Sequence, residues 1–481
     1  KERSFYSHSK RCIDCQIFKQ TIQNMNNNIL TLTAYFCAIS NIHINSLCSN
    51  HFNNILSYAN PFFRCIKRNN LRNKIFELFE QIKYSIKFQC KEQFCSILLD
   101  GSTRNNKNFY GFIIHTKSRL YYYKIESIEF ASAENIALST AEVVNFINTE
   151  TDLEIIGVCT DHAFNCIKAF NQNEDISTQS ITGQFFDWIG CFSHLLNLSI
   201  SDLFSNSEFC ELYQTLNSIL SISRKLKLRK KVPTFCKTRW DSYSKCLNFL
   251  NDVRQELLNF FNSNQQNFNN YIETLNSDEF RELTELFNYL NRLSSEIGGD
   301  NFLICNVYKN IIEFEIFLSN LTTVDISFFG RMILQRIYSA DEYKIAVTAF
   351  FLTIEGKNHF LNMEDGSEKE NFLTAIREYI SYYNSYKFQF EEEILEEQIN
   401  SYLNCEIFPY YDSYELWQFW RSDQQMSSLA EIAIRIISMP CSELPVERMF
   451  SHLKYLFGSK NYSQSEELLN SQLGIRMDNI Y

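Results

Sequence analysis

Apolar positions early in the chain recur at helical spacing. Phe36, Ile39 and Ile42, then Phe76, Leu78, Phe79 and Ile82, predict helices across residues 31–90. The pattern then shortens. Phe94 to Leu99 is an apolar run ending at Asp100-Gly101, followed by turn-forming residues from Gly101 to Asn106. Phe109–His115 and Leu120–Ile125 are two more runs rich in aromatic and branched residues. Three consecutive strands are predicted, the first stopping at Asp100. Ile136, Thr140, Val143, Val144 and Ile147 mark one face of a helix. Leu153 to Thr160 is apolar nearly throughout, as a strand buried on both faces requires, and it ends at Asp161. A shorter strand between Trp188 and Phe192 leads into a helix from His194. Three strands, a helix, a strand, a helix and a strand is the order of an RNase H-like fold. The same order serves many α/β domains.

From 201 to about 425 the periodicity is helical throughout. The polar stretch Asn259–Asn267 reads as an exposed connection. The last segment is sharply patterned. Ile432–Ile437 ends a helix before Pro440, and Pro445 suits the first turn of the next. Val446, Phe450, Leu453 and Phe457 stripe that next helix, Glu447 lies beside the stripe, and Gly458 ends it. Ser463–Glu466 reads as a capping box for a final helix carrying Leu469, Leu473 and Met477.

Composition narrows the class. With only 12 Gly and 5 Pro in 481 residues, long helices are favoured over an all-β fold. No apolar run is long enough to span a bilayer. The 16 cysteines are scattered rather than set in a dense disulfide pattern, which suits reduced thiols. The first residues, Lys1-Glu2-Arg3, are not a signal peptide and suggest that the true N-terminus lies upstream. The net charge of −11 argues against a passive, basic nucleic-acid binder. One basic cluster, Arg224 to Lys231, has six cations in eight residues and suits either a phosphate backbone or a solvated surface.

Two carboxylates stand out. Asp100 and Asp161 each follow a buried strand, and open α/β sheets bind ligands at that end. A pair there can hold hard cations through oxygen. Read singly, each is equally a turn-forming or helix-capping Asp.

Several motifs then carry a resemblance in order along the chain. They are Ile97-Leu98-Leu99-Asp100-Gly101-Ser102-Thr103, Cys159-Thr160-Asp161-His162-Ala163-Phe164-Asn165, Cys191-Phe192-Ser193-His194, Lys237-Thr238-Arg239-Trp240-Asp241-Ser242 and Glu443-Leu444-Pro445-Val446-Glu447-Arg448-Met449-Phe450-Ser451. Together the chain resembles a DNA transposase of the hAT superfamily from about residue 35 onward. The fold class this implies is an α/β RNase H-like domain interrupted by a large all-α insertion, with a helical N-terminal region, mostly helical overall. The expected layout runs as follows: an N-terminal segment at 1–30 holding a zinc-finger remnant, a helical DNA-binding and dimerisation region at 31–90, and the first part of the RNase H-like domain at 91–200. The insertion covers 201–425. The last part of the domain, with the family's C-terminal dimerisation region, covers 426–481.

The resemblance makes Asp100, Asp161 and Glu447 a catalytic triad holding two Mg²⁺ or Mn²⁺ ions. Glu447 follows Asp161 by 286 residues, the place of the family's helical insertion. Asn165, expected one helical turn from Asp161, would face the same site. Cys191, His194, Arg239, Trp240 and Arg448 would serve DNA, with Trp240 stacking on an extruded base. Cys12 and Cys15 are half of a zinc site, so Zn²⁺ enters only if an N-terminal finger exists. His43 and Cys48 offer a second half, in a stretch that better fits a helix. Implied partners are transposon ends, target DNA and further copies of the chain, in the nucleus and without a membrane. The sequence departs from the family at His162, where Asn is usual, and at Val446, where Ser is usual. Two rival readings are a domesticated, non-catalytic DNA-binding and dimerisation factor, and another RNase H-like nuclease.

Overall fold

The computed structural model describes residues 13–40, 42–60, 63–89, 93–104, 107–170, 177–226, 231–236, 241–263, 268–300, 302–364, 366–406, 412–423, 425–457 and 465–478. Cys12, Lys227–Lys230, Arg239, Trp240, Gly458, Ser463 and Gln464 lie outside the described residues, as does the side chain of Cys15. The protein is mostly helical, with an α/β unit built on one five-stranded mixed sheet. The strands are β1 (Phe94–Arg104), β2 (Lys107–His115), β3 (Leu120–Ile128), β4 (Glu154–Thr160) and β5 (Asp187–Gly190). Their spatial order is β3-β2-β1-β4-β5. β1–β2 and β2–β3 pair antiparallel, and β4 and β5 continue parallel to β1.

β1 does not stop at Asp100. It runs on to Arg104 and stays paired with β2 down to Arg104↔Lys107. Gly101 is not a turn residue. It faces Tyr110, whose ring carbon would lie 3.0 Å from any Cβ at that position. What does end near Asp100 is the pairing with β4, whose last partners are Leu98↔Cys159. Asp100 and Asp161 are each two residues further on. They stand side by side at the carboxyl edge of adjacent parallel strands, where strand spacing is about 4.8 Å.

Strand alternation assigns the faces. Ile97, Leu99, Phe112 and Ile114 pack with Val143, Val144 and Ile147 of helix Ala133–Glu150. Leu98, Ile113, Tyr122 and Cys159 pack on the opposite side with Val446, Met449, Phe450 and Leu453 of helix Leu444–Phe457. Asp100 shares the parity of Leu98, and Asp161 that of Cys159. Both therefore belong to the face that this helix covers. Gly111 lets the helix lie close, because a Cβ there would overlap the Met449 methyl.

Helices from Ser207–Lys225 to Ser427–Ile436 intervene between the sheet and helix Leu444–Phe457, with no strand among their described residues. Their core holds Phe209, Phe287, Phe314, Phe329, Trp417 and Tyr402. The returning chain is pinned on both sides before the next helix starts. Ile304 N donates to Met439 O at 3.0 Å, and Phe192 N donates to Cys441 O at 2.9 Å.

The N-terminal helices Ile13–Ser40, Ile44–Leu47, Asn50–Ala59 and Arg68–Gln89 form a separate cluster. The first runs straight through the expected boundary at residue 30. His43 caps a helix by accepting from Asn45 N at 3.1 Å, a structural task. The last helix, Glu466–Asp478, completes the cluster with Leu468 and Ile475. Its cap is Ser465, whose Oγ accepts from Leu468 N. Asn470 on this helix binds the edge of β3. Its Oδ1 accepts from Tyr122 Oη at 2.7 Å and Ile125 N at 2.6 Å, and its Nδ2 donates to Ile125 O at 2.7 Å. The apolar face of this last helix is thus buried against the N-terminal helices.

Candidate functional site

Each carboxylate is placed by local backbone chemistry. Asp100 Oδ1 accepts from Gly101 N at 2.6 Å. Asp161 Oδ1 accepts from Ala163 N at 3.1 Å, turning the chain from β4 into helix Phe164–Phe170. Glu447 sits in the first turn of helix Leu444–Phe457, with its side chain exposed. Asp100 is partly open to solvent, yet the atoms packed around it desolvate the carboxyl. Burial pushes it well above the usual carboxylate range, and the negative charges of Glu443, Asp161 and Glu447 push further, against the Gly101 N–H. The three expected carboxylates are thus close enough to sense one another. Among the described residues, no three His, Cys, Asp or Glu side chains are drawn together as a ready metal-binding group. The donor chemistry still suits a hard cation, because the donors are carboxylate oxygens and none of the charges acting most strongly on Asp100 is positive.

Glu443 was not expected. It is 7% exposed and carries a carboxyl pushed up to about 7, first by burial and then by Asp161 and Glu447, against the Cys191 thiol and its own backbone N–H. Its Oε2 is buried without a hydrogen-bond partner. Nothing in the local sequence announces this. A Glu before a helix ordinarily faces solvent, and here distant chain buries it.

Cys191 is fully buried, so it does not reach DNA in this arrangement. Its N donates to Thr160 O at 2.8 Å and its Sγ lies 3.5 Å from Ser442 Oγ, which ties β4 to the segment before Glu447. His194 stacks on His162 at 5.6 Å and 19°. Burial lowers its imidazole, the charge of Asp161 opposes that, and His162 reinforces it. His162 Nε2 lies 3.0 Å from Glu342 Oε1, and its ring meets the edge of Trp188 at 5.9 Å. Gly190 makes room for the pair, since a Cβ there would overlap both side chains. The departure at His162 is therefore a built contact between the sheet and the helical insertion. Trp188 Nε1 donates to Thr160 Oγ1 at 2.9 Å.

Two expected site residues are engaged elsewhere. Asn165 donates to the Ala131 carbonyl and does not face the carboxylates. The helix starts at Phe164, so Asp161 lies outside the turn that the spacing argument assumed. Arg448 donates to Gly298 O at 2.5 Å and pairs with Asp300. Arg239 and Trp240 fall outside the described residues.

The fold and site define a mostly helical protein with an α/β unit and an acidic centre at its strand ends. Residues 213–324, within the helical insertion, match the family model described as the FAM200/GTF2IRD2 helical domain. That family is related to transposase-derived proteins. The match covers less than half of the chain. No curated protein matches it.

Proposed function

We propose that the chain is a DNA transposase of hAT type that uses divalent metal ions for strand cleavage and transfer. The observation that carries this reading is the placement of Asp100 and Asp161 at adjacent strand ends, on the face covered by the helix that bears Glu447. The helical-domain match in the insertion supports a transposase-derived origin. Two Mg²⁺ or Mn²⁺ ions bound there would activate the attacking oxygen and stabilise the leaving one in an in-line displacement at phosphorus. Asp100, Asp161 and Glu447 would hold the cations. Gly101 N–H and Ala163 N–H fix the carboxylate rotamers. His194, stacked and partly buried beside Asp161, supports the phosphate. Burial and the neighbouring carboxylates disfavour the charged form of Asp100, and a bound cation would offset both. Each step would join the oxygen of water or a 3′-hydroxyl to phosphorus and break the phosphorus bond to the departing O3′, with the nucleophile's proton passing to solvent and solvent returning one to O3′. Nuclear location and assembly of two or more copies on transposon ends belong to the same proposal, and Zn²⁺ at Cys12 and Cys15 enters it only with an N-terminal finger.

The second reading is a domesticated DNA-binding or dimerisation factor. It is favoured by Arg448, which is already occupied by Gly298 and Asp300, and by carboxylates that are near but not drawn together.

The test is Mg²⁺- or Mn²⁺-dependent nicking of pre-cut and hairpin-forming DNA by this chain and by Asp161→Asn. Cleavage by the parent, reduced to background in the variant, is expected. Equal inactivity of two folded proteins would sink the enzyme reading in favour of the binding factor.

A further inference from the structure

β5 ends the sheet, so its outer side pairs with no strand among the described residues. A cavity of about 520 Å³ opens there, between helix Phe164–Phe170, the start of helix Asp341–Phe351 and helix Ser367–Lys387. Its walls are aromatic. Glu378, Tyr382 and Tyr386 recur every fourth residue and share one face of the last of these helices. The rings of Tyr382 and Tyr386 lie 5.0 Å apart and are 44% and 50% exposed. Tyr386 stacks on Phe185 at 5.4 Å, and Trp188 adds an indole from β5. The charges lining the cavity are unbalanced. Asp187, Asp341, Glu342 and Glu378 face the single ammonium of Lys344. Lys344 lies 3.8 Å from Glu378, and Glu342 is engaged by His162. Asp187 is buried with only the Tyr379 hydroxyl at 2.8 Å, and Lys387, the cation that acts on it, is itself 3.0 Å from Glu154. Asp187 and Asp341 are thus left without an ion pair among the described residues.

Such a lining repels phosphate, so the cavity is not a seat for DNA. Tyrosine and indole faces beside carboxylates attract an organic cation instead, because the ring quadrupole and the carboxylate both draw positive charge. We propose that this cavity binds an organic cation, a guanidinium or alkylammonium group whose stem lies along Tyr382 and Tyr386 and whose charge is met by Asp187 and Asp341. An arginine or lysine side chain of a partner and a free polyamine share this chemistry. The site would stand with or without metal at the acidic centre.

Ligand-observed NMR titration of the full chain at pH 8 tests this with capped arginine, its neutral isostere capped citrulline, and spermidine. Capped arginine or spermidine should saturate one site, and citrulline should not bind. The tighter of the two cations tells a partner's side chain from a free amine. Asp187→Asn should weaken the bound cation at least about tenfold. Tyr382→Ala, at an exposed ring, should weaken it roughly two- to fivefold. Citrulline binding as well as arginine, no binding of either cation, or unchanged affinity in either variant overturns the proposal. Should Asp187→Asn fail to fold, Asp341→Asn at the exposed helix start carries the charge test, and an unchanged value there overturns it equally.

Discussion

Asp187 opens β5 away from the acidic centre and is 4% exposed. Its carboxyl accepts from Tyr379 Oη at 2.8 Å. Burial raises it from the usual 3.8 to about 7, against Tyr379 and Lys387. The folded state therefore binds this proton more tightly than the unfolded chain does. Stability from that difference is complete below about pH 4, falls as pH rises, and is gone above about pH 7. The whole displacement is worth roughly 4 kcal/mol, of which about 3 kcal/mol is lost between pH 5 and pH 8. Asp187→Asn keeps an acceptor for Tyr379 and cannot ionise. It should match the parent in acid and become increasingly more stable than the parent up to about pH 7, then level off. Urea unfolding of both proteins at half-unit pH steps, read by tryptophan fluorescence, gives the difference curve directly. A flat difference from pH 5 to pH 8, or a variant less stable than the parent at pH 8, would refute the reasoning.

Two further outcomes follow from buried contacts. Burial opposes ionisation at Glu282, but the hydroxyls and N–H groups of Thr322 and Thr323 outweigh it and hold the carboxyl down to about 2. Its contribution is present above the usual 4.5 and lost as pH falls towards 2. Glu282→Gln should cost roughly 1–3 kcal/mol in unfolding at pH 7, and an unchanged midpoint would contradict this. Gly190→Ala forces a methyl into the His162–Glu342 pair and should cost roughly 1–3 kcal/mol. Faster amide exchange in helix Asp341–Phe351 is the accompanying sign, and unaltered exchange would count against the contact.

The sheet was legible where burial is symmetric. Leu153–Thr160 reads as a buried strand because both its faces are covered, and Asp161 follows from its end. The end of β1 was misplaced for a local reason. Gly101-Ser102-Thr103 has turn chemistry, but pairing with Lys107–Phe109 and the close approach of the Tyr110 ring decide the backbone there. Tertiary pairing overrides local preference. Glu443 was illegible because Cys191 and the returning chain bury it, and those lie hundreds of residues away or depend on the insertion's path. His162 looked like a defect in a motif until Gly190 and Glu342 came beside it in space.

Helix Leu444–Phe457 seals one face of the sheet and brings Glu447, yet it is made after the whole insertion. A ribosome releases β1 and β4 long before that helix. Until then Gly111 and Ile113 face outward, and the growing chain carries an uncovered apolar sheet with only two of its carboxylates. The same order of synthesis means that a product ending anywhere within the insertion has no third carboxylate and no lid on the sheet. Such a fragment would carry an incomplete acidic centre and an uncovered apolar face, which makes it prone to aggregation.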